Sequence, residues 1–257
     1  SSDTALLQTT GTGVNAGNIV LEGTSTGSGP VLGDSRNGIS SVSGTITTVD
    51  GNIEMTGEAV DGTGLSGGAV ISVTGTGMVN LTGTSTGTNV GGGGVFGDVT
   101  TTSGDITLSG STVVATGAII TNDIVTTTGT ITVTGTGATR GAVVGAGAEV
   151  RTGGTAGITI TGTTSSANPN NFAVELVSVG TLVDTTSNAP ITIVGNGLSG
   201  LRIGDKNNPG TPADPVLSST GGGDISFSGG RVEMAEGGSI STTGIVRLAV
   251  TGDVTQD

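Results

Sequence analysis

The stretch DITLSG at residues 105–110 decides the fold. Ile106 and Leu108 alternate with Asp105, Thr107 and Ser109, and Gly110 closes the phrase. Alternation with a period of two sends the aliphatic pair to one face of an extended strand and the polar residues to the other. The phrase is not unique. It recurs as NIVLEG at 18–23, NIEMTG at 52–57, MVNLTG at 78–83, TITVTG at 130–135, GITITG at 157–162 and PITIVG at 190–195. The last copies are DISFSG at 224–229 and RLAVTG at 247–252.

The first apolar position therefore falls at Ile19, Ile53, Val79, Ile106, Ile131, Ile158, Ile191, Ile225 and Leu248, nine copies at a mean step near 29 residues. A period of this size signals a solenoid or repeat array. A second apolar run follows each anchor by about 12 residues: PVLGD around Val31, GAVIS around Val70, GVFGD around Val95, GAIIT around Ile119, GAVVG around Val143, FAVELV around Val174, GLRIGD around Leu201 and RVEM around Val232. A weaker third run precedes the next anchor, from Asp98, Asp123, Thr181 and Ser239. Three short strands and Gly-rich corners describe one triangular coil. The expected fold is all-β, a parallel β-helix of about nine coils occupying residues 1–257 as one domain, right-handed by the general preference of parallel crossovers.

Composition fits a thin, layered core. Gly supplies 52 of 257 residues, there is no Trp, Tyr, Cys or His, and Phe occurs three times. Large aromatic anchors are thus scarce, and the core must be built from Ile, Val and Leu. The mean hydropathy of +0.22 and the regular alternation argue against a disordered Gly/Ser linker. Glycine is expected at corners, for positive φ or close backbone approach. Outward Thr and Ser suit a solvated pleated face and can form ladders along it.

Three stretches break the period: 35–49, SSANPNN at 165–171 and DKNNPGTPADP at 205–215. They read as loops standing off the coil. Both ends look strand-like, TALLQTTGTG at 4–13 and IVRLAVTGDVT at 245–255, with no amphipathic cap. This fits a segment of a longer solenoid, or coils that meet another copy head to tail.

The recurring GDITLSG, GTITVTG and GNIEMTG segments resemble the repeats of large secreted surface proteins of the filamentous-haemagglutinin and autotransporter type. The resemblance runs from about Gly17 to Gly252 and implies a right-handed β-helix, an extracellular or cell-surface location, and an adhesive or structural role. It supplies no catalytic residues. The secretion-signal domain and the C-terminal membrane barrel of those families are not found in the sequence.

The chemistry available is narrow. Without His or Cys there is no imidazole base, thiolate or ordinary zinc site. A net charge of −13 with a single Lys offers no basic patch for nucleic acid, and no apolar run is long enough to insert in a membrane. Parallel β-helices also carry carbohydrate enzymes, which need two facing carboxylates. Asp98 and Asp123, expected in adjacent coils just before their third strands, are the best such pair and the only weak metal candidates. Two acids fall short of a Ca²⁺ site, the GGxGxD calcium repeat is absent, and GGGG at 91–94 lacks a phosphate-loop ending. A solvated surface role for the pair is the simpler reading. The expected function is a non-enzymatic, cofactor-free scaffold or adhesin stalk. A self-assembling fibre subunit and, less favoured, a carbohydrate-active enzyme are the alternatives. Expected partners are further copies, adjoining solenoid segments, or a glycan or host-surface ligand.

Overall fold

The computed structural model describes residues 5–27, 36–41, 43–88, 92–145, 147–204, 215–235 and 237–256. They form three parallel sheets of nine strands each. Each coil contributes one strand to each sheet, and every strand pairs only with its counterparts in the coils before and after. The fourth coil shows the plan: Ile106–Thr112 in a long sheet, Thr116–Ile120 in a second sheet and Ile124–Thr126 in a third. This is the parallel β-helix expected from the repeat.

Register is held without slip. The long sheet aligns Ile19, Ile53, Val79, Ile106, Ile131, Ile158, Ile191 and Ile225 in one row. These are the anchors read from the sequence, and all eight are at most 5 % exposed. The ninth differs. Val246 pairs with Ile225 and Leu248 with Phe227, so the last anchor lies at Val246 and not at Leu248. The apolar run Val246, Leu248, Val250 offers two registers, and Gly252 imitates the glycine that ends every other copy.

The second runs need two corrections. In the second coil, GAVIS around Val70 belongs to the third sheet, as Val70–Val73. The second-sheet strand there is Leu65–Gly67, with one aliphatic residue. In the first coil that place is taken by Ile39–Ser41, inside a stretch expected to loop out. PVLGD around Val31, the 205–214 part of the DKNNPGTPADP insert and Gly91 of the GGGG run lie outside the described residues. The other runs fall in the sheets expected of them.

The inward residues of all coils form one continuous core. Each fully buried Ile, Leu or Val contributes roughly 1.5–3 kcal/mol by leaving water. Within a coil the long strand tapers. In the second coil its inward residues run Ile53, Met55, Gly57, Ala59, from large to small as the walls converge on a corner. The glycine of each repeat sits in that narrowing wedge, in mid-strand. A Cβ on Gly57, Gly83, Gly110 or Gly135 would overlap the carbonyl oxygen of Gly64, Gly93, Gly117 or Gly141 in the facing strand. A Cβ on those partner glycines would in turn strike long-strand backbone. Two walls thus meet backbone to backbone. The repeat glycines serve close approach, and among the four just named none needs a positive φ.

The corner from the third sheet into the long sheet is closed from inside. Thr48, Val73, Thr101, Thr126, Thr152, Thr185, Ser219 and Thr242 form one inward row. Thr101, Thr152, Thr185 and Thr242 donate their hydroxyls to the carbonyls of Gly104, Gly129, Ala189 and Gly223 at 2.6–3.0 Å. The turning backbone is thereby satisfied within the core.

Candidate functional site

Asp98 and Asp123 do stack in adjacent coils, one residue before Val99 and Ile124, which pair directly. Asp98 is half-buried and Asp123 exposed. Their carboxylates do not face each other across a cleft. Asp98 Oδ1 accepts the backbone N–H of Asp123 at 3.2 Å, and Asp123 Oδ1 accepts that of Glu149 at 2.9 Å. Each side chain caps the coil above it.

The same device closes another corner. Asn18 accepts from Asn52 N–H, Asn52 from Met78 N–H, Asp105 from Thr130 N–H, and Asp224 from Ile245 N–H, at 2.7–3.0 Å. Asn and Asp alternate in one role, so the role needs an acceptor and not a charge. Asp50 reaches both ways, taking Gly13 N–H through Oδ2 and Thr76 N–H through Oδ1, each at 2.9 Å. Those two backbone bonds hold its carboxyl below the ordinary value, and the Ile245 N–H followed by Arg247 does the same for Asp224. Asp98 and Asp123 belong to this capping set. Among the described residues no group of three or more acidic side chains converges to hold a metal.

A denser cluster lies on the outer face of the second sheet. Val143, Glu175, Arg202 and Glu233 occupy one row in successive coils. Outward positions are normally wet, yet Glu175, Arg202 and Glu233 are only 2 %, 8 % and 3 % exposed. Arg140 Nε lies 2.7 Å from Glu175, Arg202 bridges Glu175 and Glu233 at 3.7 and 3.3 Å, and Arg231 closes on Glu233. The ring of Phe172, fully buried, lies 4.2 Å beneath the Arg202 guanidinium and 5.0 Å from that of Arg231. Phe172 follows the 165–171 insert, which is tied down where Ser199 donates to the Asn168 carbonyl at 3.2 Å. The insert is an exposed loop, as expected, with this one carbonyl anchored to the next coil. The cluster joins coils five to eight. Sequence reading missed it, although VEL, LRI and VEM carry the alternating charges at the middle of three consecutive second-sheet strands.

One cavity, of about 350 Å³, opens beside the first coils between Leu6, Leu7, Thr45, Ile46 and Ala69. No titratable group lines it. No described helix is long and apolar enough to cross a membrane.

Fold and surface define a repetitive parallel β-solenoid. No protein-family model matches the chain, and neither a curated protein nor a solved structure does.

Proposed function

We propose that the chain is a rigid structural segment of an extracellular or cell-surface protein, acting as a scaffold or adhesin stalk. The observation that carries this reading is the unbroken register of nine coils over one continuous core. At about 4.8 Å per layer the stack spans roughly 40 Å. Its Asn, Asp and inward Thr side chains cap corners, and its buried ion pairs join coils, which is what a load-carrying rod requires. The likeness of its repeats to those of large secreted adhesins supports the location. Labelling of intact cells that make the protein tests it. Antibody signal on unpermeabilised cells, or protein in the medium, is the expected result, and signal only after lysis would overturn it.

A fibre subunit is the second reading, favoured by the outer coils. Leu7, in the inward row of Ile46 and Ile71, is 42 % exposed in the first strand, and Val246, Leu248 and Val254 in the last coil are 44–54 % exposed. These edges present the same inward pattern as the interior coils, so a further coil, whatever its source, finds partners in register. Filaments that lengthen with concentration in electron micrographs would select this reading over an isolated rod.

A further inference from the structure

The outer face of the long sheet differs from the rest of this acidic chain. Three outward rows run along it through coils three to eight: Asn80–Thr107–Thr132–Thr159–Thr192–Ser226, Thr82–Ser109–Thr134–Thr161–Val194–Ser228 and Thr84–Ser111–Thr136–Thr163–Asn196. None of these positions is charged, in a protein of net charge −13. Charge lies outside the rows, with Glu22 in the first coil, Glu54 and Glu58 in the second, Arg247 in the ninth, and Asp105 and Asp224 capping the corner where the long strands begin. All of these outward positions are partly or fully exposed. Among the described residues the hydroxyls of Thr132, Thr134, Thr159 and Thr161 have no hydrogen-bond partner, whereas those of the inward threonines are spent on carbonyls.

The lattice is regular in two directions. Parallel strands repeat about every 4.8 Å across the sheet, and i, i+2 side chains about every 6.6 Å along a strand. Branching at Cβ limits the rotamers of threonine, so one row repeats one pattern of methyl and hydroxyl. A rigid face pays little ordering entropy on binding.

These features exclude most ligands. An anion meets a negative protein with no local cation. A protein partner would find no aromatic or Arg anchor on this face, and a sugar ring no Tyr or Trp to stack on. What remains is an uncharged, periodic surface whose own hydroxyl spacing is near that of the rows. The oxygen lattice of hexagonal ice has repeats close to both. The geometry points to the outer face of the long sheet, centred on Thr132, Thr134, Thr136, Thr159, Thr161 and Thr163, as an ice-binding surface.

Partition of the purified chain into a slowly growing ice shell tests this, beside an inert soluble protein of similar size. The native chain is expected to enter the ice several-fold above the inert protein and to facet ice crystals. Thr134→Lys and Thr161→Lys, placed in the centre of the lattice, are expected to bring uptake down to the inert level with melting curves unchanged. Thr100→Lys, on the exposed face of the third sheet, is expected to keep it. Exclusion of the native chain from ice, or uptake unaffected by Thr134→Lys, would overturn the proposal. So would a concentration-dependent dimer abolished by Thr134→Lys in a chain that ice excludes, which would give the face to a second copy.

Discussion

Two outward faces built on the same coils have opposite chemistry. On the long sheet each row keeps one kind of side chain through many coils, small, neutral and open to water. On the second sheet the equivalent row runs from Ser40 and Ser66 through Val95, Ile119 and Val143, then turns to Glu175, Arg202 and Glu233. Backbone register is equally strict on both, so register alone does not dictate outward identity. Cover does. Where the row is sealed from water, a charge survives only beside an opposite charge one coil away. Where the row is open, residues need only tolerate a pleated, solvated surface.

The comparison can be broken most severely at Arg202. Arg202→Ala removes the charge shared by Glu175 and Glu233 in a nearly dry row and leaves them only Arg140 and Arg231, so denaturant unfolding should show a loss near the low end of about 3–5 kcal/mol. Replacing Glu175, Arg202 and Glu233 together by aliphatic residues, continuing the row of Val95, Ile119 and Val143, should recover most of that loss. The wedge beneath the neutral face comes next. Gly135→Ala drives a methyl into the Gly141 carbonyl, where backbone and not a pliable side chain must give way, and should cost about 1–3 kcal/mol in the same measurement. At the inner corner, Thr152→Val keeps the shape and removes the 2.7 Å bond to Gly129, for a loss of about 1 kcal/mol in thermal or denaturant melts.

The smallest effect belongs to Asp50. Its folded pKa lies below the unfolded value near 3.8, so its charge contributes stability that is present above that value and lost as pH falls through the folded one. Asp50→Asn keeps an acceptor oxygen without the titration. The native chain should therefore melt slightly higher than Asp50→Asn at pH 6, and the gap should close in acid below about pH 4. A gap that widened in acid would contradict the bonds assigned to Asp50.

Much of this was legible from DITLSG and its copies. Eight of nine anchors were placed because Ile or Val, an intervening polar residue, a second aliphatic and a glycine form a phrase long enough to fix register. The ninth slipped by two residues because alternating apolar residues are self-similar at that shift. In the second coil the three-residue strand at Leu65 has one aliphatic side chain, which carries no period, and Val70 drew the assignment away from it. Asp98 and Asp123 were correctly expected to stack, but which N–H each carboxylate meets depends on corner geometry that no spacing reveals. The Glu175–Arg202–Glu233 ladder stayed hidden for a related reason. Its members are 27 and 31 residues apart, and only an accurate register brings them together.

Apart from Asp50, which reaches both ways, the capping Asn and Asp side chains reach from one coil to the next toward the C-terminus. A chain made N-terminus first thus completes each layer with acceptors already aimed at the amides about to arrive. Assembly then has a built-in direction, with every finished turn a template for its successor and only short local closures required at each step.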